Sequence, residues 1–345
     1  MGKIVQYTPD QFALLKRAAE RMGPNYSLYH RPFVDYYYTG NAWCKLFLFM
    51  QEDAVIGSIG VDSMRFELNG QPLMTTFATS YYALESGAGG PLYMKWMRSN
   101  PAAIIFGGSE DTHRIARAQH WTYIEGVKVY ELNRPIVVYP QDPPWRALGK
   151  RVAQLLPKGT PVARCLERMP KEAYAHITLR EETLFTDDLL PASSPFAFRL
   201  APTVDYLNWR YRTDLSFVRY RLFRILKGGA TAGYVVINDG PRLMVAQSDA
   251  DDSATLAYAI LLALTEVCRN DRKPRPVALT SSHREMQPIF AQFGFQPSQK
   301  DRPFVFNGLP RMAEGGWDAS RWLVNFDWGD NGLRAPFLDQ KEPIS

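Results

Sequence analysis

Cysteine and histidine are scarce in this chain, with three and five residues among 345. Cys44, Cys165 and Cys268 lie far apart, and no two of them form a Cys-x-x-Cys motif. An odd number of dispersed cysteines argues against a disulfide framework and against a zinc ribbon, and it fits a reducing cytoplasm. The histidines show no His-Glu-x-x-His motif or other ligand spacing, so we expect no metal site.

Long hydrophobic runs are also missing. A membrane-spanning helix needs about 18 consecutive apolar residues, and the longest apolar stretch, 256–264, is typical of a buried helix. Residues 1–5 do not begin the apolar core of a signal peptide. We therefore expect a cytoplasmic protein without a membrane span.

Charge of one sign is not concentrated anywhere in the chain. The net charge is only +5, and the basic residues form small clusters at 210–212 and 269–275. A solvated surface explains such clusters, so no nucleic acid partner is expected. The hydrophobic fraction of 46% is ample for packed cores, and two domains are the default expectation for a chain of this length.

Two common catalytic motifs are absent: the Gly-x-Ser-x-Gly elbow and a phosphate loop ending in Gly-Lys-Ser/Thr. The most informative segment present is 87–90, Gly-Ala-Gly-Gly, between an extended pattern at 73–82 and a short helical pattern at 91–97. A strand, a glycine turn and a helix N-terminus form an anion site, because backbone N–H groups point outward and glycine lets a phosphate approach closely. An ordinary tight turn is the alternative.

The order of elements is similar in the two halves of the chain. Each half begins with helical patterns and continues with alternating strand patterns, then a turn, a helix, a buried strand, a second helix and final strands. The acidic turn at 249–252 stands where the first half has its glycines. Strands are predicted at 45–51, 54–61, 64–68, 74–82, 102–106, 127–132, 217–225, 231–238, 243–248, 277–279, 302–306 and 322–326.

Residues 135–195 are rich in proline and mixed charge, and 191–195 is the clearest linker. We therefore predict an N-terminal domain at 1–134, a connector at 135–195, a C-terminal domain at 196–335 and a tail at 336–345. Little residue identity accompanies the repeat of element order.

The arrangement resembles the GNAT acyltransferase superfamily, in a tandem form that covers nearly the whole chain. The signature (Gln/Arg)-x-x-Gly-x-(Gly/Ala) between a strand and a helix is matched at 84–89 by its two glycines, but not by its leading residue. The family's helix ending in Gly-Phe is matched at 293–295, and His120-Trp121 stands in its place in the first half.

Two further segments resemble bacterial tandem proteins of this type, some of them linked to polysaccharide export. A Leu-x-Trp-Arg-Tyr box is matched by 207–211, and a Trp…Gly-Asp box is loosely matched by Trp322 with Gly329-Asp330. The resemblance implies an α/β fold (an α+β mixed sheet) of two tandem acyl-CoA N-acyltransferase-like domains. In each domain a mostly antiparallel mixed sheet would be flanked by helices.

The resemblance also implies transfer of an acetyl or longer acyl group from acyl-CoA to a primary amine of a small molecule or amino sugar. The pyrophosphate would lie on the turn and the pantetheine arm along the preceding strand. The residues implied in binding CoA are Thr79, Ser80, Tyr81, Gly87, Ala88, Gly89 and Gly90. No cofactor site is expected in the second half, because carboxylates at 249–252 would repel a pyrophosphate.

Direct attack of an amine on the thioester needs a base for the amine and an acid for the leaving thiolate. The catalytic candidates are Tyr82, Glu85, Ser109, Glu110 and His113. Each has a structural alternative: a core tyrosine, surface carboxylates, a helix cap and a solvent-facing histidine. The family often places a tyrosine four residues before the glycine of Gly-Phe, where this chain has Ala116 and Phe290.

An aromatic and basic group of residues is the candidate acceptor site: Tyr37, Trp209, Arg210 and Tyr211. Packing of these aromatics on the sheet, with the arginine at the rim, is the alternative. Two other functions stay open. One is a non-catalytic tandem protein that binds a ligand or partner, and the other is an acyltransferase that uses an acyl-carrier protein as donor. A homodimer is also considered.

Overall fold

The computed structural model describes residues 2–23, 26–99, 102–134, 136, 138, 142–155, 159–307 and 317–328, without the side chains of 153–155. The first part of the chain forms two antiparallel hairpins and a set of flanking helices. Its strands are β1 (Lys3–Gln6), β2 (Cys44–Gln51), β3 (Ala54–Leu68), β4 (Gln71–Ala83), β5 (Ala103–Phe106), β6 (Thr122–Ile124) and β7 (Lys128–Leu132). Its helices are α1 (Phe12–Glu20), α2 (Arg31–Tyr38), α3 (Gly89–Met97) and α4 (Glu110–Ala118).

The second part repeats this layout after a helical segment. Its helices are α5 (Pro144–Leu155), α6 (Val162–Leu166), α7 (Val204–Arg210), α8 (Ser253–Val267) and α9 (Met286–Phe293). Its strands are β8 (Ile177–Glu182), β9 (Phe198–Leu200), β10 (Tyr220–Lys227), β11 (Ala230–Asp239), β12 (Leu243–Ala250), β13 (Val277–Ser281), β14 (Gln296–Pro297) and β15 (Phe304–Asn307).

The described strands form two mixed sheets, as predicted. The first sheet has the order β1-β2-β3-β4-β5-β15-β6, with β9 paired to β3, and the second has the order β14-β7-β13-β12-β11-β10-β8. Neighbours are antiparallel except β4 with β5 and β12 with β13. The segment predicted as a connector supplies β8, an edge strand of the second sheet.

The two sheets exchange strands. Strand β15 comes late in the chain but lies in the first sheet, where Phe304 is opposite both Phe106 of β5 and Ile124 of β6. Strand β7 comes early but lies in the second sheet, between β13 and β14. Both strands were predicted, but the periodicity of a segment does not say which sheet it joins. The domain boundaries stay a prediction.

Local sequence explains several elements. Asn69 and Gly70 join β3 to β4 with φ values of 49° and 77°, the left-handed pair that an Asn-Gly hairpin turn adopts. The segments 54–61 and 64–68, predicted as separate strands, form one strand of 15 residues. The strand predicted at 322–326 is wrong, because only Trp322 makes a β-bridge, to Phe198.

Helices cover both faces of the first sheet. Helices α3 and α4 pack on one face through Leu92, Trp96 and Ala116. The other face joins a core that continues into the second sheet, so that Phe66 and Tyr234 belong to one cluster. Within the described residues, no helix is long and apolar enough to cross a bilayer.

Candidate active site

A cavity opens in the first sheet where β4 and β5 separate. The two parallel strands are paired only at Thr76–Ala103 and Phe77–Ile104. Beyond these pairs the gap contains a cavity of about 210 Å³. Its lining residues are Phe77, Ala78, Thr79, Ser80, Tyr81, Ile105, Phe106, Gly108, Ser109, Thr112 and Trp328. One end of this lining is aromatic, and the rest includes hydroxyl-bearing residues of β4 and of the start of α4.

A β-bulge at Ser80 turns β4 away from its partner strand. The register between β3 and β4 shifts between Ser58 and Gly60, and Ser80 has a φ of 45°. Positive φ is uncommon for serine, and bulges of this kind redirect a strand. Two hydrogen bonds hold the conformation: Tyr38 Oη donates to Ser80 Oγ at 3.0 Å, and Ser58 Oγ donates to Ser80 O at 3.0 Å.

The glycine turn leads from the end of β4 into α3. Gly87 has a φ of 86°, and α3 begins after Ala88 without a side-chain cap. The first N–H groups of a helix have no acceptor inside the helix, and the helix dipole favours an anion there. Around Gly90, no heavy atom of the described residues outside its own helical turn lies within 4 Å of the place that a Cβ would take. The turn thus has the geometry of the anion site predicted at 87–90, and its role stays a prediction.

Tyr81 joins the cavity to the turn. Its side chain belongs to the cavity lining, and its hydroxyl donates to the backbone oxygen of Gly89 at 2.9 Å. Burial raises the pKa of Tyr81, so this hydroxyl keeps its proton at neutral pH. A cavity and an uncapped helix start are therefore adjacent along one strand.

His113 lies behind the opposite wall of the cavity. Ser109 caps α4 by accepting from Thr112 N at 3.3 Å, and His113 follows in the first turn, buried. A Cβ on Gly108 would lie 3.5 Å from His113 Nε2, and this nitrogen is buried with no hydrogen-bond partner among the described residues. Gly108 itself lines the cavity. Gly108 therefore lies between the imidazole and the cavity.

The Tyr123 hydroxyl has two hydrogen-bond partners on His113. Its oxygen lies 3.2 Å from His113 Nδ1 and 3.2 Å from the His113 backbone oxygen, to which the hydroxyl can donate. When the hydroxyl donates to the backbone oxygen, it can only accept from Nδ1–H, and in that tautomer Nε2 has a lone pair. The sequence suggested His113 as a candidate, with a solvent-facing side chain as the alternative, and the structure places the side chain in the interior.

Three of the other catalytic candidates do not line the cavity. Glu85 is exposed, with one carboxylate oxygen 4.0 Å from Arg21, and Glu110 is exposed and paired with Arg117. Tyr82 is also exposed, and its ring packs edge-on against another tyrosine at 4.9 Å. Tyr82 follows Tyr81 on the strand, so the two side chains point to opposite faces. Ser109 and His113 are the candidates that the structure brings next to the cavity.

The four candidate acceptor residues have packing contacts, but Arg210 is fully buried and not at the rim, where the packing alternative had placed it. Their role in binding an acceptor stays a prediction. Tyr37 is buried and donates to Asp62 Oδ2 at 2.6 Å, and Arg210 is buried with its guanidinium 4.9 Å from the Tyr37 ring. Trp209 stacks on the Tyr37 ring at 5.7 Å, and Tyr211 is buried. None of these four side chains lines the cavity described above.

Sequence reasoning missed Trp328, which forms part of the cavity wall. Its ring lies 4.9 Å from Phe66 and 6.2 Å from Phe106, on the sheet face opposite α3 and α4. The loosely matched box around Trp322 was the only signal near this position. The Gly329-Asp330 part of that box lies outside the described residues.

In the second sheet the corresponding gap is filled by the chain itself. Strands β12 and β13 are paired at only two positions, Leu243–Val277 and Met244–Ala278. Residues 324–327 lie beside the remaining gap and make hydrogen bonds to both strands. These bonds are Thr280 Oγ1 to Val324 O at 2.9 Å, Asn325 Nδ2 to Ser248 O at 3.1 Å and Asp327 N to Ala246 O at 3.1 Å.

The start of α8 is also capped by a side chain of the protein itself. Asp252 caps the helix by accepting from Thr255 N at 2.6 Å, so a carboxylate already occupies the helix start. Asp249 is buried and paired with Arg199, which also contacts Glu67 of the first sheet at 3.1 Å. Within the described residues, no group of three Cys, His, Asp or Glu side chains is arranged to hold a metal ion.

Comparison with known proteins identifies the fold. No protein-family model matches the chain, and no curated protein matches its sequence. A tandem GNAT protein from the clavulanic acid biosynthesis pathway matches with a TM-score of 0.51 and 14% identity, over 90% of this chain and 100% of that one. Saccharomyces cerevisiae N-myristoyltransferase with bound myristoyl-CoA matches with a TM-score of 0.54 and 12% identity, over 89% and 82%.

A putative acetyltransferase from Pyrococcus horikoshii matches with a TM-score of 0.50 and 9% identity, over 94% of each chain. At these identities the similarity concerns the fold, and it extends over most of the chain in every case. The resemblance inferred from the element order is confirmed at that level: the chain has the tandem GNAT fold.

Proposed function

We propose that this chain is an acyltransferase that moves an acyl group from acyl-CoA to a primary amine of a small molecule, such as an amino sugar. The observation that carries the proposal is the cavity between β4 and β5, which is adjacent through Tyr81 to the uncapped start of α3. The yeast structure with the same fold contains myristoyl-CoA, which supports a CoA thioester as the donor.

The donor would be held by residues of β4 and of the turn. The amides of a pantetheine arm need hydrogen-bonding partners. The part of the cavity wall that β4 contributes contains Thr79 and Ser80, whose hydroxyl groups also contact Tyr38 Oη. A pyrophosphate needs backbone N–H groups and a favourable dipole, which the start of α3 supplies at Gly89 and Gly90. In the second half, Asp252 and residues 324–327 occupy the corresponding places.

We assign the base to His113. In the reaction the amine nitrogen forms a bond to the thioester carbon, the C–S bond breaks, and the amine loses a proton. In the tautomer with Nδ1–H, Nε2 of His113 carries a lone pair, and it has no hydrogen-bond partner among the described residues. It lies behind Gly108 of the cavity wall, so it would accept that proton through a bridging water. Ser109 and Tyr81 are the hydroxyl groups of the cavity wall that can donate a proton to the leaving thiolate.

Calorimetry with acetyl-CoA and longer acyl-CoAs tests the donor site. We expect micromolar binding that Gly90→Glu abolishes, because a carboxylate there would repel the pyrophosphate. Gly90 tolerates a side chain, since its φ is not positive and no heavy atom lies near its Cβ position. Gly149→Glu is the matched control, because it adds the same charge to an exposed, equally open helical glycine in α5. Unchanged binding by Gly90→Glu, or no binding by the wild type, would refute the assignment.

A non-catalytic binding protein is the second candidate. The observation that favours it is the absence of a tyrosine at the family's usual acid position, where Ala116 and Phe290 are both buried in apolar cores. A panel of amines with acetyl-CoA and thiol detection separates the two functions. Release of free CoA supports the enzyme, whereas binding without release for every amine supports the binding protein.

Thiol detection also distinguishes acyl-CoA from an acylated carrier protein as the acyl donor. If acyl-CoA neither binds nor reacts but an acylated carrier protein releases its thiol, the chain is an acyltransferase with a protein-bound donor. That result would remove the phosphate site at residues 87–90 from the mechanism, and it would leave the roles of the cavity and His113 in place.

A further inference from the structure

Helix α5 carries an apolar stripe on its exposed side. Trp145 is 75% exposed, Leu148 is 64% exposed and Val152 is 53% exposed. Positions i, i+3 and i+7 of an α-helix lie within an arc of roughly 60°. The three side chains therefore form one face, which we call the α5 face.

Over residues 144–152, this helix does not bury an apolar face against the rest of the described protein. None of the side chains at 144–152 is buried. A helix of 12 residues gains most of its stability in water from burying an apolar face, and isolated helices of this length are marginal. The apolar stripe of α5 therefore points outward, where it is available to another surface.

The charges of α5 are all positive. Its sequence, Pro-Trp-Arg-Ala-Leu-Gly-Lys-Arg-Val-Ala-Gln-Leu, contains Arg146, Lys150 and Arg151 and no acidic residue. On a helix with about 100° per residue, Arg146 falls on one side of the α5 face and Arg151 on the other. Arg146 and Arg151 are exposed. Asp142 lies beside the helix, 2.6 Å from Lys150 Nζ and 3.9 Å from Arg146 Nε.

We propose that the α5 face binds the surface of an anionic lipid bilayer, with α5 lying parallel to the membrane plane. An exposed tryptophan beside aliphatic side chains, with cations on both flanks, is the pattern of an interfacial helix. The aliphatic side chains and the indole enter the headgroup region, and the flanking guanidinium groups meet lipid phosphates. The positive charges on both flanks favour this partner over an uncharged apolar groove of another protein.

Tryptophan fluorescence gives a direct test with the intact chain. All eight tryptophans are described, and Trp145 is the only exposed one. With vesicles of equal parts phosphatidylglycerol and phosphatidylcholine, we expect co-sedimentation and a blue shift of the emission. Trp145→Phe should remove the blue shift and keep most of the sedimentation, because phenylalanine also enters the interface. Vesicles of phosphatidylcholine alone should bind the protein at least tenfold more weakly.

Substitutions on the surface distinguish the α5 face from other exposed apolar residues. Leu148→Ser with Val152→Ser should lower the vesicle partition coefficient more than tenfold, since each buried methylene contributes several-fold to binding. Leu184→Ser is the matched control, because Leu184 is 62% exposed elsewhere in the chain, and it should leave binding unchanged. Arg146→Glu with Arg151→Glu should also lower the partition coefficient more than tenfold.

Three results would overturn the proposal. The first is no sedimentation with anionic vesicles, and the second is equal sedimentation of the Leu148→Ser, Val152→Ser variant. The third is retention on an acidic protein, with no vesicle binding, that depends on the same residues, because it would make the α5 face a protein-docking surface. None of these results depends on acyl transfer, so the proposed function and this inference can fail separately.

Discussion

Arg210 and Asp327 form an ion pair without solvent contact: Nη2 lies 2.8 Å from Oδ1, and both side chains are 0% exposed. Arg210 belongs to α7, whereas Asp327 belongs to the segment that fills the gap of the second sheet. Asp327 precedes Trp328, so the pair also fixes a residue of the cavity wall in the first sheet. One buried contact therefore connects the filled gap to the open one.

Removing one partner of this pair should destabilise the protein strongly. Arg210→Met leaves the Asp327 carboxylate buried without its cation, and such changes cost about 3–5 kcal/mol of unfolding free energy. Urea denaturation measures the loss. Arg212→Met is the matched control, because Arg212 pairs with Asp214 at the surface, where a pair contributes about 1 kcal/mol or less. Equal losses for the two variants would show that the buried pair has no special role.

Loss of His113 should lower the rate of acyl transfer and leave the donor affinity unchanged. His113→Asn removes the base, and general base catalysis typically contributes about 10²- to 10⁴-fold. Steady-state kinetics with acetyl-CoA and a reactive amine, together with calorimetry, separates the two effects. His120→Asn is the control, because His120 is exposed at the end of α4 and asparagine tolerates its φ of 57°. Full activity of His113→Asn would assign the base elsewhere.

A smaller side chain at position 328 should shift the acyl preference towards longer chains. Trp328 forms part of the aromatic end of the cavity, and Trp328→Leu enlarges that end. Each methylene that gains an apolar environment contributes about 0.8 kcal/mol, or roughly fourfold in kcat/KM. The comparison is between acetyl-CoA and longer acyl-CoAs. Trp121→Leu, in the core against α3 and α4, should lower stability with no change of preference.

The free energy of unfolding should depend on pH through the titration of the buried Asp249. Burial raises the pKa of Asp249 from 3.8 to about 7, against the opposing effect of the Arg199 guanidinium. The folded protein then holds this proton to higher pH than the unfolded chain does. The contribution of Asp249 to the free energy of unfolding therefore falls between pH 3.8 and about 7, by about 1.4 kcal/mol per pH unit.

Asp249→Asn should remove this decline. Denaturation at several pH values from 4 to 8 should show that the wild type loses stability relative to the variant as the pH rises. Asp251→Asn, which takes an exposed carboxylate from the same turn, is the matched control. A constant difference between wild type and Asp249→Asn over this pH range would contradict the raised pKa.

Much of the fold could be predicted because its local signals are strong. Asn69-Gly70 sets a hairpin by its left-handed backbone, and the glycines at 87–90 mark the end of a strand and the start of a helix. Gln11 stands three residues after Thr8, the spacing of a capping box, and its side chain accepts from Thr8 N at 3.0 Å. These features depend on residues that are close together in the chain, so they can be predicted from a single sequence.

The features that were missed depend on distant residues. The partner of Arg210 lies 117 positions away, and Trp328 meets the cavity only after the chain has crossed from one sheet to the other. His113 was found as a candidate from its place after Ser109, but its burial depends on Tyr123 and Gly108. Periodicity also predicted β7 and β15, but it did not assign either strand to a sheet. The hydrogen-bond partners of a strand depend on the whole fold.

The strand exchange has a consequence for synthesis on the ribosome. Strands β5 and β6 emerge early, but they cannot pair with each other in the native way, because β15 belongs between them. Until the C-terminal region has been translated, the first sheet therefore keeps unpaired strand edges, which are prone to association. The two halves look like modules in their element order, yet neither sheet can be completed without a strand from the other half.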